Sequence, residues 1–358
     1  MKPTEQLHEL GQSLWLDNIT RTMLDDGTLK GYIDELSVTG LTSNPTIFDK
    51  AISSGDAYDE QISELREQGL DGEQLFFELA LADLTRAAEL FLPEHQRTDR
   101  MDGWVSLEVS PLFAYKTDET TQQAADLHGR AAENVFIKIP GTPEGLSSIE
   151  ESIYAGVPIN VTLLFSSDQT IAAAEAYMRG IERRIEAGLD PDVPSVLSIF
   201  ISRWDVAVHD EVPDELKNTL GVAVGKVTYR DWRRLFESDR WKGLADQGAR
   251  LQRLLFASTG TKDPDASDTL YIEAFAAPDT IDTMPEKTLK AFADHGKVGD
   301  PLPEDGGDAE EVMQAHRDAG VDTDALALKL QQDGAEAFVK SWTELLETIR
   351  SESERLAA

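Results

Sequence analysis

Along much of this chain, apolar and polar residues take alternate positions, then give way to stretches where apolar residues return every three or four. In Trp104 to Ser110, Val105, Leu107 and Val109 alternate with Ser106, Glu108 and Ser110. Ile159, Val161 and Leu163 alternate with Asn160 and Thr162, and Leu197, Ile199 and Ile201 with Ser198, Phe200 and Ser202. Such alternation marks a strand with two unlike faces. Eight runs read as strands: Leu14 to Ile19, Val38 to Asn44, Trp104 to Ser110, Asn134 to Pro140, Pro158 to Phe165, Pro194 to Ser202, Arg253 to Ser258 and Thr269 to Ala276. The segments between them mostly carry helical spacing; Leu146, Ile149 and Ile153 fall on one helical face. Ser166-Ser167-Asp168-Gln169 offers a capping box for a helix starting near Ile171, and Gly188 its stop. Strands alternating with helices predict a parallel α/β sheet, and eight of them favour closure. The expected fold is a single (β/α)8 barrel over residues 1–358 with extra helices.

Two connections depart from that scheme. Asp205 to Gln252 is long enough for one extended helical layer or two helices, with Trp204, Trp232 and Trp241 in or beside it. Thr259 to Asp268 is short and rich in Gly, Pro and Asp, so it is expected to loop over the barrel mouth. Pro278 to Pro285 also reads as a loop, and the acidic segment 300–308 as an exposed linker. An amphipathic helix is expected over 335–357, with Phe338, Trp342, Leu345 and Ile349 on one face. That stripe reads first as packing against the barrel and second as an oligomer contact, leaving monomer and homodimer open.

Composition narrows the classes. Hydrophobic residues make up 41% of the 358, ample for a large core, with no apolar stretch long enough to span a bilayer. The start, Met1-Lys2-Pro3-Thr4-Glu5-Gln6, lacks a basic segment followed by an apolar one, so no secretory signal is expected. The chain has no cysteine, which excludes disulfides, thiolate catalysis and Cys-type zinc sites and is compatible with a cytoplasmic protein. Sixty-seven acidic residues against 33 basic ones give −34, so neither nucleic acid nor an anionic membrane is an expected partner. The acidic surface reads as a solubility device.

Candidate chemistry centres on Lys138, which sits in the apolar run Val135-Phe136-Ile137-Lys138-Ile139-Pro140. Burial disfavours a charged amine, and a neutral amine can attack a carbonyl to form a Schiff base. The polar faces of the other strands supply suitable company. Asp17 and Glu108 are carboxylates able to divide acid and base roles. Asn44 and Asn160 can bond hydroxyls without adding charge, and Arg203, just past the sixth strand, offers the paired donors a phosphate needs. Plainer readings exist: a sheet with one wet face, Asp17 as a cap, Glu108 as a structural partner of Lys138, Arg203 as a surface ion pair. No glycine-rich phosphate loop is present to support a dehydrogenase or phosphotransferase.

Two segments make the pattern specific. Gly40-Leu41-Thr42-Ser43-Asn44-Pro45-Thr46-Ile47-Phe48 resembles the first signature of the transaldolases, and Val135-Phe136-Ile137-Lys138-Ile139-Pro140-Gly141-Thr142-Pro143-Glu144-Gly145 resembles the second. The likeness extends through Ser106-Leu107-Glu108-Val109, Ile159 to Phe165 and Leu197 to Arg203, spanning nearly the whole chain. The stretch Ala257-Ser258-Thr259-Gly260-Thr261-Lys262 resembles the longer actinobacterial form.

The resemblance implies a (β/α)8 barrel, a Schiff-base mechanism without cofactor or metal, and sugar-phosphate substrates in the pentose phosphate pathway. It casts Lys138 as the imine-forming amine, Asp17 as general acid/base, and Glu108 with Thr162 and a water as the proton shuttle. It places Asn44, Asn160 and Ser198 around the dihydroxyacetone portion and Arg203 on a phosphate, with Ser258 nearby. One position departs: better-known members carry arginine two residues after the serine matching Ser258, where this chain has Gly260. Lys262 is the expected substitute. The alternatives are a fructose 6-phosphate aldolase-like enzyme, whose members place an amide where this chain has Glu108, and a non-catalytic sugar-phosphate-binding barrel.

Overall fold

In a computed structural model describing residues 1–357, eight parallel strands close in sequence order into a barrel. They are β1 (Ser13–Asp17), β2 (Val38–Thr42), β3 (Trp104–Glu108), β4 (Val135–Pro140), β5 (Ile159–Leu164), β6 (Ser195–Phe200), β7 (Arg253–Ala257) and β8 (Ile281–Met284). Helices run outside between them, and the apolar strand positions meet these helices in one continuous core that includes Leu107, Ile137, Ile139, Val161, Leu197 and Ile199. The alternation seen along the chain is thus the division between barrel lumen and helical layer.

The lower lumen is filled with side chains. Trp104 stacks on Phe136 at 4.0 Å between ring centroids, and Trp15 lies 6.2 Å from Phe136. Gly40 admits this packing, because a Cβ there would stand 2.6 Å from Trp15 Nε1 and from the Trp104 carbonyl. Below the rings, Arg253 is buried and donates to Ser13 Oγ and to the Thr280 carbonyl, both at 2.7 Å. Ser13 in turn donates to Asp102, which also accepts from Trp15 Nε1 at 2.8 Å. A barrel plugged at this end leaves the carboxyl ends of the strands as the open one.

Strands β2 to β7 fall within the expected segments and β1 starts one residue before its own, at Ser13, but the eighth lies elsewhere. Within Thr269 to Ala276, Leu270–Ala274 is a short helix, and β8 lies in the segment Pro278 to Pro285 that reads as a loop. The β-prone Tyr271 and Ile272 bury against the outer core, and Tyr271 Oη donates to Asp205 Oδ2 at 2.7 Å. β8 has only four residues, all buried, between two prolines, too few for a period to register. Asp205 to Gln252 holds three α-helices, Ser202–Val208 (entering from β6), Leu220–Phe236 and Asp239–Ala245. Thr259 to Asp268 carries no helix. In the segment 300–308 Leu302 is buried among mostly exposed residues.

The last helix is longer than its amphipathic stripe suggests. It runs Thr323–Ala357, 35 residues, and crosses the barrel mouth before packing Trp342 against Phe76 and Phe77. Gln331 fastens it to the barrel, its amide donating to the carbonyls of Gly141 at 3.0 Å and Leu163 at 2.9 Å. Leu163 adopts a positive φ of 59° where the β5–β6 register slips, which breaks the regular alternation of β5 just above Thr162.

Candidate active site

Parallel register places the central row. Glu108 on β3 pairs with Lys138 on β4, and Lys138 pairs with Asn160 on β5, so three lumen-facing side chains stand abreast. Lys138 is 6% exposed and Glu108 5%. The lysine Nζ donates to Glu108 Oε2 at 3.0 Å and to the Ser43 carbonyl at 3.2 Å. Asn160 is tied to its neighbours: its amide donates to Ser106 Oγ at 3.1 Å and its oxygen accepts from Ser198 Oγ at 2.7 Å.

Above this row opens a cavity of about 130 Å³. Of the residues singled out in the sequence, Asp17, Asn44, Lys138, Thr162, Ser198, Arg203, Ser258 and Lys262 line it. Glu108 and Asn160 do not reach the cavity wall; Glu108 flanks the lysine and Asn160 supports the row from within.

Asp17 stands at the end of β1, half-buried, accepting from Thr42 Oγ1 at 2.9 Å. Burial raises its pKa above the ordinary carboxylate value; the Lys138 charge, the Thr42 hydrogen bond and the Lys262 charge oppose that rise. Burial raises Glu108 as well, opposed by the charge and hydrogen bond of Lys138 and reinforced by the charge of Asp17. One amine therefore serves two carboxylates in different settings, an arrangement suited to separate acid and base tasks. Asn44 caps the helix Pro45–Ser53, its Oδ1 accepting from Ile47 N at 3.1 Å. That bond fixes the side chain with its amide nitrogen left for other partners. Glu108 Oε1 and Thr162 Oγ1 are buried with no hydrogen-bond partner among the described residues, which leaves each free to bond a group other than its present neighbours.

The upper wall is cationic. Among the described residues, neither Arg203 nor Lys262 pairs with a carboxylate within ion-pair distance, although Asp and Glu outnumber Lys and Arg 67 to 33. Ser258, at the end of β7, holds a positive φ of 57°, and its Oγ lies 2.8 Å from Ser202 Oγ. At Gly260 a Cβ would approach Pro285 Cγ to 3.1 Å, so a side chain there requires that proline to give way. No group of three or more metal-ligating side chains gathers among the described residues.

The cavity also holds residues the sequence reading left unassigned to the site. Thr42, Phe200, Thr283, Pro285 and Phe338 all line it. Phe200 was visible in the alternation and Thr42 in the first signature segment, but neither carried a chemical signal of its own. Thr283 was hidden with β8, and Phe338 reaches the site from the C-terminal helix.

A closed parallel barrel with a buried lysine between carboxylates at the open end belongs with the (β/α)8-barrel enzymes. Comparison with known proteins refines the class. The family model described as Transaldolase/Fructose-6-phosphate aldolase matches residues 14–349. A transaldolase of Mycobacterium ulcerans is 40% identical over 362 residues, covering 98% of this chain and 97% of its own. Transaldolases of Renibacterium salmoninarum and Mycobacterium tuberculosis are each 40% identical over 357 residues, covering 97% and 96% of this chain and 96% and 95% of their own. The chain belongs to the transaldolase/fructose-6-phosphate aldolase family, and its relatives place it on the transaldolase side.

Proposed function

We propose that Lys138 forms the Schiff base through which a three-carbon dihydroxyacetone unit passes from sedoheptulose 7-phosphate to glyceraldehyde 3-phosphate, yielding erythrose 4-phosphate and fructose 6-phosphate. The observation that carries this reading is the placement of Lys138 Nζ, 3.0 Å from Glu108 Oε2, at the floor of a cavity lined by Asp17 and by two unpaired cations.

Lys138 attacks the ketose C2 carbonyl. The proton leaves the amine for Glu108, whose Oε2 accepts from Lys138 Nζ at 3.0 Å, and one reaches the carbonyl oxygen by way of a water and Thr162, which lines the cavity. Water departs and an iminium remains. Asp17 takes the proton of the C4 hydroxyl, the C3–C4 bond breaks, and its electrons move into the iminium to give an enamine. The shortened aldose phosphate leaves. An incoming aldehyde is attacked by the enamine, Asp17 returns the proton to the new hydroxyl, and hydrolysis frees Lys138. Asn44 and Ser198 hold the dihydroxyacetone hydroxyls while Asn160 keeps Ser198 in place. Arg203 and Lys262, with Ser258 between β7 and its loop, take the phosphate. Phosphorylated sugars do not cross membranes unaided, so we place the enzyme with them in the cytoplasm.

The test is product analysis. With fructose 6-phosphate and erythrose 4-phosphate, sedoheptulose 7-phosphate and glyceraldehyde 3-phosphate should accumulate together. Release of free dihydroxyacetone at a comparable rate, with or without the aldehyde, would show a simple aldolase instead.

A further inference from the structure

Arg203 is held in an unusual way for a half-buried guanidinium. It forms no hydrogen bond and no ion pair among the described residues, and the nearby carboxylate of Asp333 is engaged by Lys329. What surrounds it is aromatic: its Cζ lies 5.3 Å from the Phe200 ring centroid and 5.9 Å from that of Phe338. Both distances are within cation–π range. Phe200 leans on Phe165 at 5.2 Å between centroids, which fixes one side of the clamp.

The other side comes from the C-terminal helix. Gln331, Gly334 and Phe338 follow one another at helical spacing on the face turned to the barrel mouth. Gln331 sets the height of the helix through its bonds to Gly141 and Leu163. Gly334 then lets it come close: a Cβ there would stand 3.0 Å from Leu163 Cδ2 and 3.1 Å from Arg203 Nη1. Phe338, one turn further, reaches into the cavity itself. A guanidinium clamped by ring faces and backbone keeps its five donors free for an anion.

We propose that the C-terminal helix builds part of the phosphate end of the site, with Gly334 and Phe338 acting as positioning residues for Arg203. The inference rests on the reading of Arg203 as a phosphate ligand. It explains why the apolar stripe of this helix begins with a residue that faces the cavity while Trp342, Leu345 and Ile349 enter the core.

The test is a set of double-mutant cycles on the intact enzyme, reading KM and kcat for fructose 6-phosphate with melting temperature as a folding control. Phe338→Leu and Gly334→Ala should each raise KM by about three- to tenfold with kcat within about twofold, and Phe338→Tyr should restore the parent value. Gly334→Ala adds weight because Gly334 is not among the residues lining the cavity. In an Arg203→Ala background neither Phe338→Leu nor Gly334→Ala should raise KM further. If Arg203→Ala raises KM while the two helix variants do not, or they raise it equally in the Arg203→Ala background, the positioning role is wrong and the phosphate reading stands. If Arg203→Ala itself leaves KM unchanged, the phosphate reading falls and the positioning role falls with it.

Discussion

Lys138 and Glu108 lie on adjacent strands in direct register, both buried, with amine and carboxylate 3.0 Å apart. A buried ion pair of this kind contributes little net stability, because desolvation offsets attraction. In the mechanism proposed above, its value lies in proton transfer. Glu108→Gln keeps the shape and removes the exchangeable charge. It should lower kcat by about 100-fold or more and, because it removes one partner of a buried pair, lower the melting temperature as well, with the folded state checked by circular dichroism at the assay temperature. Steady-state kinetics would show this, and an unimpaired kcat would remove Glu108 from the mechanism.

Thr42 tunes the second carboxylate. Its hydroxyl donates to Asp17 Oδ1, and that bond favours the ionised form, lowering a pKa that burial raises. In the proposed mechanism Asp17 must be ionised to take the C4 hydroxyl proton, so activity should be lost as pH falls through its pKa. Thr42→Val should therefore move the acid limb of the kcat–pH profile to higher pH. A limb that stays in place or moves down contradicts the assignment.

Lys262 occupies the loop after β7 and lines the cavity together with Gly260. Lys262→Ala should raise KM for phosphorylated sugars by about five- to tenfold, with a much smaller effect on kcat. Unchanged KM values would leave Arg203 as the phosphate's sole cation.

Asp282 bears on stability. It is buried on β8, Thr259 Oγ1 donates to its Oδ1 at 2.8 Å, and its Oδ2 has no partner among the described residues. Burial raises its pKa well above the ordinary 3.8, and the Thr259 bond only partly opposes this. A carboxyl whose folded pKa is raised holds its proton longer in the native state than in the unfolded one. Stability therefore falls as pH rises from the unfolded pKa through the folded one. Asp282→Asn should raise Tm at pH 7 by roughly 2 °C or more, with the gain vanishing near pH 4. An equal gain at both pH values would mean that titration is not the cause.

Local alternation made β1 to β7 legible, because a strand between lumen and helices must change character at every residue. It also pointed to several of the residues that line the cavity, among them Ser198 and Thr162, since polar residues on a lumen face have few other uses. β8 escaped because its four residues contain barely one repeat, while the β-prone Tyr271 and Ile272 nearby fold as a helix. The C-terminal helix was read from residue 335, twelve residues after its start at Thr323, because Gln331 and Gly334 interrupt the apolar stripe. Those interruptions are the residues that dock it on the barrel. Phe338 was read as packing for the same reason: its spacing matches Trp342 and Leu345, and only the path of the helix across the mouth turns it into the cavity.

The central claim is that Lys138 carries the three-carbon unit. Borohydride reduction in the presence of fructose 6-phosphate, followed by peptide mapping, tests it directly. A reduced dihydroxyacetone adduct on Lys138, lost in Lys138→Met, is the predicted result; an adduct on another lysine, or none, would contradict it.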